Sequence, residues 1–318
     1  MRAMVISAFG GPESFQLQEV PPPVPGPGEA LVRVMASGTN PVDAKIRAQG
    51  SWAGVNPPAV LGYDVSGVIE EVGPGVTEFR PGDEVFYTPE IFGNRQGSYA
   101  EFNVAPAAIM APKPKRLTHL EAAAVPLAGG TAWEAVVRRL GLRIGETILI
   151  HGGAGGVGSF AVQIAVAAGA RVLATAGPAH QDTLRELGAE VAIDYTRAGF
   201  TEAVAEAVKG GVVVDCVFDT VGGDLIARSL AVIRPGGRMA SILPVAGDLT
   251  RLYAKNLTLH GIFLTRERAR LVAMTPLLES GRIRPLIDRV LPLERVAEAH
   301  ARLESGHGQG KIVLQVAA

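Results

Sequence analysis

One segment constrains this chain more than any other. It reads Ile148-Leu149-Ile150-His151-Gly152-Gly153-Ala154-Gly155-Gly156-Val157-Gly158-Ser159, an apolar strand candidate running into a glycine string and then into the helical stretch Phe160 to Ala168. Gly153, Gly155 and Gly158 fit the spacing G-x-G-x-x-G. Chemistry explains the spacing: the first glycine permits a tight turn, the second lets the backbone approach a pyrophosphate, and the third allows helix to pack closely on strand. The helix start adds unpaired N–H groups and a positive dipole end for phosphates. Alone, such a string is often only a tight turn. Here a strand precedes it and a helix and another strand follow, so a nucleotide-binding loop is expected.

The surrounding texture agrees. From about residue 121, helical stretches (Leu120 to Pro126, Thr131 to Leu140) alternate with strand candidates at Thr147–His151, Arg171–Thr175, Val191–Asp194, Val213–Asp219, Arg238–Leu243 and Leu257–Leu264. Six strands with intervening helices predict a doubly wound α/β domain with a parallel sheet. The first hundred or so residues differ. Short strand candidates at Ala3–Ser7, Ala30–Ala36, Gly67–Glu71, Glu84–Tyr87 and Ala100–Val104 lie between Gly- and Pro-rich segments, predicting an antiparallel β domain. Pro21 to Gly28 reads as a stiff surface crossing. The tail from Ala269 to Ala318 holds two helical stretches and a closing strand, Lys311–Val316, whose natural partner is the N-terminal β domain.

Charge and cysteine content narrow the chemistry. Lys plus Arg number 30 against 31 for Asp plus Glu, a formal charge of -1, so no net field would hold a nucleic acid or an anionic membrane. Neither a signal-peptide core nor a bilayer-length apolar run is present, and a cytoplasmic location is the default expectation. Cys216 is the only cysteine and reads as buried and inert, which leaves neither an intrachain disulfide nor an all-cysteine zinc site. The six histidines, His119, His151, His180, His260, His300 and His307, include no pair at helical metal-binding spacing, and no metal is expected.

The end of the second parallel strand argues for a particular nucleotide. An NAD enzyme usually places Asp or Glu there for the ribose hydroxyls. This chain has Leu173-Ala174-Thr175-Ala176-Gly177-Pro178-Ala179-His180-Gln181, with no acid before Asp182. Nothing at the tip would repel a 2′-phosphate, so NADPH is favoured. Thr175, Gly177, His180, Gln181 and, one strand later, Tyr195 are the candidate contacts, His180 reading also as a solvated helix-start residue.

Further motifs follow in order: Gly38-Thr39-Asn40-Pro41-Val42-Asp43, Gly62-Tyr63-Asp64-Val65-Ser66-Gly67, Pro81-Gly82-Asp83-Glu84-Val85, Pro126-Leu127-Ala128-Gly129-Gly130-Thr131-Ala132-Trp133, Val217-Phe218-Asp219-Thr220-Val221-Gly222-Gly223 and Gly310-Lys311-Ile312-Val313-Leu314. With the glycine loop, they make the whole chain resemble the quinone oxidoreductase (zeta-crystallin-like) branch of the medium-chain dehydrogenase/reductase superfamily. The resemblance implies a GroES-like, β-rich catalytic domain from residues 1–121 and 265–318, and an inserted Rossmann domain over 122–264. Zinc alcohol dehydrogenases of that superfamily carry a catalytic Cys near the position of Gly38 and a His in a Gly-His-Glu motif; here the latter reads Gly62-Tyr63-Asp64. Without a Lewis acid, simple alcohol oxidation loses its main electrostatic help. A conjugated acceptor remains reducible, because hydrogen-bond donors can meet the charge developing on its oxygen.

By resemblance, Asn40 lies near the nicotinamide ribose and the substrate. Thr131 and Lys311 touch the cofactor, Gly153, Ala154, Gly155, Gly156 and Val157 hold the pyrophosphate, and Ile242, Leu243 and Phe263 sit near the nicotinamide or the substrate. From the residues alone, Asn40 reads equally as a turn residue before Pro41, Phe263 as core, and Asp43 and Asp64 as loop and strand-start residues with ordinary hydrogen bonds. Trp52 stands where relatives often place a Tyr; it can donate a hydrogen bond but is no proton donor of tunable pKa. Tyr63 is a second catalytic candidate, with packing between the domains as its plain reading. Protonation would then come from water or Lys45, or not be needed.

The expected activity is NADPH-dependent reduction of quinones or α,β-unsaturated carbonyl compounds by hydride transfer without metal. The rivals are an enoyl-thioester or 2-enal reductase, for which Lys45, Arg47, Arg266 and Arg268 could serve a bulky carrier but read equally as ordinary surface charge, and a non-catalytic NADPH-binding protein. Leu257–Leu264 would be an apolar sheet edge, and covering it by a second copy predicts a homodimer.

Overall fold

The computed structural model describes residues 1–197, 199–207, 214–306 and 308–317. Val213, His307 and Ala318 of the expectations above lie outside them. The chain divides into two compact units: Met1–Ala128 with Thr265–Gly281 and Pro285–Ala318, and Gly129–Leu264 with Arg282–Arg284.

In the first unit a seven-stranded sheet runs in the order Ile287–Pro292, Lys311–Gln315, Glu29–Gly38, Val65–Val72, Glu84–Tyr87, Ala111–Pro112, with Phe102–Pro106 also pairing with Glu29–Gly38. Arg2–Ile6 forms a smaller sheet with Phe15–Glu19 and Ala59–Val60. The period of two is plain in the long strand, where Ala30, Val32, Val34 and Ala36 are wholly buried while Arg33 faces solvent. One pair departs from the antiparallel expectation: Ile287–Pro292 runs parallel to Lys311–Gln315. The helix Val296–Glu304 between them supplies the crossover that a parallel pair requires. The helix Pro41–Gln49 is a second departure, in a region that the Pro- and Gly-rich texture predicts as strands and turns.

The second unit is a six-stranded, all-parallel sheet in the order Val191–Asp194, Arg171–Ala176, Thr147–His151, Val214–Asp219, Ile233–Ser241, Thr258–Gly261. Its strand order reverses between Thr147–His151 and Val214–Asp219, the kind of switch point beside which ligands bind at the carboxyl ends of strands. All of Thr147–His151 is buried, as a strand covered on both faces must be. Ile233–Ser241 begins well before the expected Arg238, because Pro235-Gly236-Gly237 mimics a turn while forming an irregularity inside the strand, with Gly236 at φ +69°. The last strand is shorter than the apolar run that suggested it. The expected helix Thr131–Leu140 is the α-helix Pro126–Trp133 continued by a widened, π-helical turn, Glu134–Arg139.

Candidate active site and cofactor loop

In the first unit the chemistry gathers where the strand Glu29–Gly38 ends. Lys311–Gln315 pairs with it in antiparallel register, Val313 opposite Gly38, and this brings the start of one strand beside the exit of the other. Lys311 is buried, and its ammonium donates to the Thr39 carbonyl at 2.9 Å, to Asp64 Oδ2 at 3.0 Å and to Asn40 Oδ1. Asn40 Nδ2 in turn donates to Asp64 Oδ2 at 2.9 Å. The second oxygen of Asp64 accepts from the backbone N–H of Leu127 at 2.7 Å. Burial raises the Asp64 carboxyl above its ordinary range, while Lys311, Asn40 and Leu127 pull it back down.

Asn40 is the N-cap of the helix Pro41–Gln49, where an asparagine side chain ordinarily accepts from an N–H of the first turn. Asp43 Oδ2 accepts from Asn40 N at 2.8 Å, as in a capping box, and the Asn40 carboxamide also reaches Lys311 and Asp64.

Asp43 ends a second buried series. Tyr99 donates to Asp43 Oδ2 at 2.6 Å, Tyr99 Oη lies 3.2 Å from His300 Nε2, and Arg47 reaches His300 Nδ1 at 3.4 Å and pairs with Glu304. Tyr99 has one proton, which Asp43 takes, so His300 must donate from Nε2 and accept at Nδ1 from Arg47. One tautomer satisfies Tyr99, His300 and Arg47 together, while Asp43 Oδ1 has no hydrogen-bond partner among the described residues. Burial, then the charge of Arg47, holds the His300 imidazole down to about 3, so it stays neutral. Burial pushes the Asp43 carboxyl up to about 7 against the Tyr99, Asn40 and Lys311 contributions.

Among the other catalytic candidates, Tyr63 is fully buried and its hydroxyl has no hydrogen-bond partner among the described residues. Burial, with the nearby Asp43 charge, raises its pKa further above the ordinary phenol value. Trp52 lies on the short 3-10 turn Ser51–Ala53, half exposed, edge-on to Phe92 with ring centroids 6.3 Å apart.

In the second unit the glycine loop leaves Thr147–His151 and opens the helix Gly156–Ala167. The tight turn is made by Gly152 at φ +73°, one residue before the glycine to which the spacing assigns it. Gly153 serves packing: a Cβ there would come within 2.8 Å of Ala174 Cβ and Leu184 Cδ2. Gly158 has the expected packing role, since a Cβ would collide with the Gly152 carbonyl. Gly155 is open, with only the Gly152 carbonyl within reach of a Cβ, at 3.3 Å, so its backbone is free to be approached. That shape and the helix N–H groups behind it fit a pyrophosphate.

The loop is held from beneath by groups the spacing does not reveal. Thr175 Oγ1 accepts from Gly152 N at 3.2 Å, and Thr220 Oγ1 donates to the His151 carbonyl at 2.7 Å. His151 Nε2 lies 2.9 Å from Ser229 Oγ, whose proton goes to the Leu225 carbonyl, so the ring donates there. Burial holds the His151 imidazole down to about 4. Asp219 Oδ1 accepts from Val221 N and Gly222 N at 2.8 and 2.9 Å, and its Oδ2 accepts from Ser241 Oγ at 3.2 Å. Asp219 thus ties the loop after its own strand to the segment Ser241–Leu243.

The structure gathers the remaining cofactor candidates in part. A Cβ on Gly177 would lie 3.7 Å from the Tyr195 hydroxyl, so these two adjoin. Gln181 Nε2 folds back onto the Ala176 and Gly177 carbonyls at 2.9 and 3.2 Å. His180 ends the short turn Pro178–His180 and is half-buried. Ile242 and Leu243 are half-buried, Phe263 is 53% exposed, which sets aside its reading as core, and Thr131 is buried on Pro126–Trp133. Asp64 and Asp43, read from sequence as ordinary loop and strand-start residues, are wholly buried carboxyls at the centre of the first unit's polar cluster. Cys216 is buried with its thiol pushed up to about 11 by that burial.

Comparison with known proteins agrees with both units. Residues 26–115 match the family described as alcohol dehydrogenase GroES-like domain, and residues 187–314 the family described as zinc-binding dehydrogenase. The chain is 34% identical to the NADPH-dependent alkenal/one oxidoreductase of Arabidopsis thaliana, chloroplastic, over 99% of this chain and 79% of that protein. It is 33% identical to the quinone oxidoreductase of Mus musculus, over 99% and 97%. Among solved structures, mycobacterial Rv1454c complexed with NADPH superposes with a TM-score of 0.89 at 32% identity, covering 99% of this chain and 100% of that one.

Proposed function

The chain belongs to the medium-chain dehydrogenase/reductase superfamily, in its quinone and alkenal oxidoreductase branch, and from that premise we propose that Asn40 orients the cofactor ribose and the acceptor during hydride transfer. The protein is an NADPH-dependent oxidoreductase of quinones or enones. The glycine loop carries the assignment: Gly152 turns the chain, Gly155 stays open, and a helix begins at Gly156.

When bound, NADPH would supply the hydride for the conjugated acceptor, and this chain's residues would hold and orient it. The backbone from Gly153 to Val157, Ala154 included, holds the pyrophosphate. Thr175, Gly177, His180, Gln181 and Tyr195 line the adenosine end, with no carboxylate at the strand tip to oppose a 2′-phosphate. Thr131, Ile242, Leu243 and Phe263 border the nicotinamide. Asn40 donates to the ribose or the acceptor oxygen, and Trp52 walls the acceptor. Tyr63, its pKa raised by burial, packs beside the acceptor and holds its proton. Positioning, not side-chain acid catalysis, supplies the rate.

Metal independence is part of the same proposal. Its support is steric: a side chain at Gly38 would overlap the Ala123 carbonyl and come within 2.8 Å of Asp64 Oδ2, leaving no room for a cysteine ligand. The proposal extends to a homodimer joined through the edge around Leu257–Leu264, resident in the cytoplasm.

The test follows the loss of reduced-nicotinamide absorbance with NADPH and, in parallel, NADH, against benzoquinone, phenanthrenequinone, a 2-alkenal and crotonyl-CoA, with and without a chelator. Chelator-resistant, NADPH-preferring turnover of a quinone or enone is expected. Tight NADPH binding without turnover of any acceptor would point to a binding protein, selective turnover of crotonyl-CoA to a thioester reductase, and chelator-sensitive alcohol oxidation would refute metal independence.

A further inference from the structure

Lys311 has three N–H donors, and all three are spent inside the protein, on Thr39 O, Asp64 Oδ2 and Asn40 Oδ1. A lysine so committed would have to abandon a buried partner to touch a nucleotide. Its geometry instead controls Asn40. An asparagine carboxamide can be turned end for end with little change in shape, and only its partners decide which end is oxygen. Here an ammonium faces one end and a carboxylate the other. The reversed carboxamide would set NH2 against ammonium and oxygen against carboxylate, two repulsive contacts in a buried site where charges are weakly screened.

We propose that Lys311 and Asp64 are positioning residues that lock the Asn40 carboxamide in one orientation, with one Nδ2 proton on Asp64 and the other kept for the ligand. The proposal rests on the reading of Asn40 given above and adds residues that touch neither cofactor nor acceptor. Two features support it. Asp64 is itself fixed through its other oxygen by Leu127 N. The second Nδ2 proton has no partner among the described residues. The absence of a side chain on Gly38 makes the clamp possible, since any Cβ would crowd Asp64 Oδ2.

The experiment uses the full-length chain selectively labelled with 15N asparagine, which gives five side-chain carboxamide pairs, Asn40 being identified by its loss in Asn40→Ala. In the wild type the two Nδ2 protons of Asn40 should be well separated in shift, with one protected from solvent exchange. Lys311→Met should cut that protection at least about tenfold, and Lys115→Met, at an exposed site, should leave it unchanged. Because Lys311→Met strands a buried carboxylate, Lys311→Met/Asp64→Asn is made alongside as a charge-neutral, better-folding counterpart. Turnover is read in the same set: Lys311→Met should lower kcat/KM with a quinone by about a hundredfold, and by less than about twofold when Asn40 is already alanine. Unchanged carboxamide protection in both clamp variants, or losses that multiply across Asn40→Ala and Lys311→Met, would overturn the proposal. A wild type that turns over no acceptor refutes the functional reading instead, and the carboxamide spectra still decide the clamp.

Discussion

His300 shows how much a single neutral side chain can govern. Its imidazole, ordinarily near 6.5, is held down to about 3 by burial and by Arg47. As pH falls through 6.5 the unfolded chain gains a proton there and the folded chain does not until about 3, so acid favours unfolding across that window, by about tenfold in the folding constant per pH unit. His300→Gln should remove this contribution. Urea melts at pH 7 and pH 5 should show the wild type losing on the order of twentyfold more in its folding constant than the variant does; equal losses would mean that His300 protonates in the folded state. Residues of this kind were poorly legible in sequence. Asn40 stands in a motif and is found by it. Asp64, Asp43 and His300 matter through partners such as Asn40, Tyr99, Lys311 and Arg47, 24 to 253 positions away, and no spacing rule reaches across a fold.

Among the elements, the glycine loop was the most legible, because its strand, turn and helix are contiguous and each glycine answers a local steric demand. Even so, the turn falls on Gly152 and not Gly153: with two adjacent glycines, spacing alone does not decide which takes positive φ. Gly158→Ala should cost NADPH binding at least about tenfold, since the new Cβ must push the Gly152 carbonyl and with it the loop. Fluorescence titration with NADPH checks this, and an unchanged Kd would separate the loop from the nucleotide. The strand Ile287–Pro292 was not legible, since Arg289 and Val290 are both exposed and break the alternation that marks a half-buried strand. The helix Pro41–Gln49 was hidden for a related reason: its start signal, Asn-Pro followed by Asp, also reads as a turn.

For the whole molecule, the sequence pattern separated a β-rich unit from a parallel α/β unit because the two have different hydrophobic periods, 2 in one and mixed in the other. Association is less directly encoded. Thr258–Gly261 is the last strand of its sheet, with one side unpaired among the described residues and Phe263 exposed just beyond it. Size-exclusion chromatography with light scattering should return a dimer, and Leu259→Lys should shift it toward monomer; a monomeric wild type would leave that edge to other cover. The pairing of Lys311 with Asp64, 247 positions apart, also orders events during synthesis. At ribosomal rates of roughly 5–20 residues per second, Asp64 waits on the order of ten seconds or more for its countercharge. The first unit therefore cannot complete its buried polar cluster until its C-terminal portion has emerged.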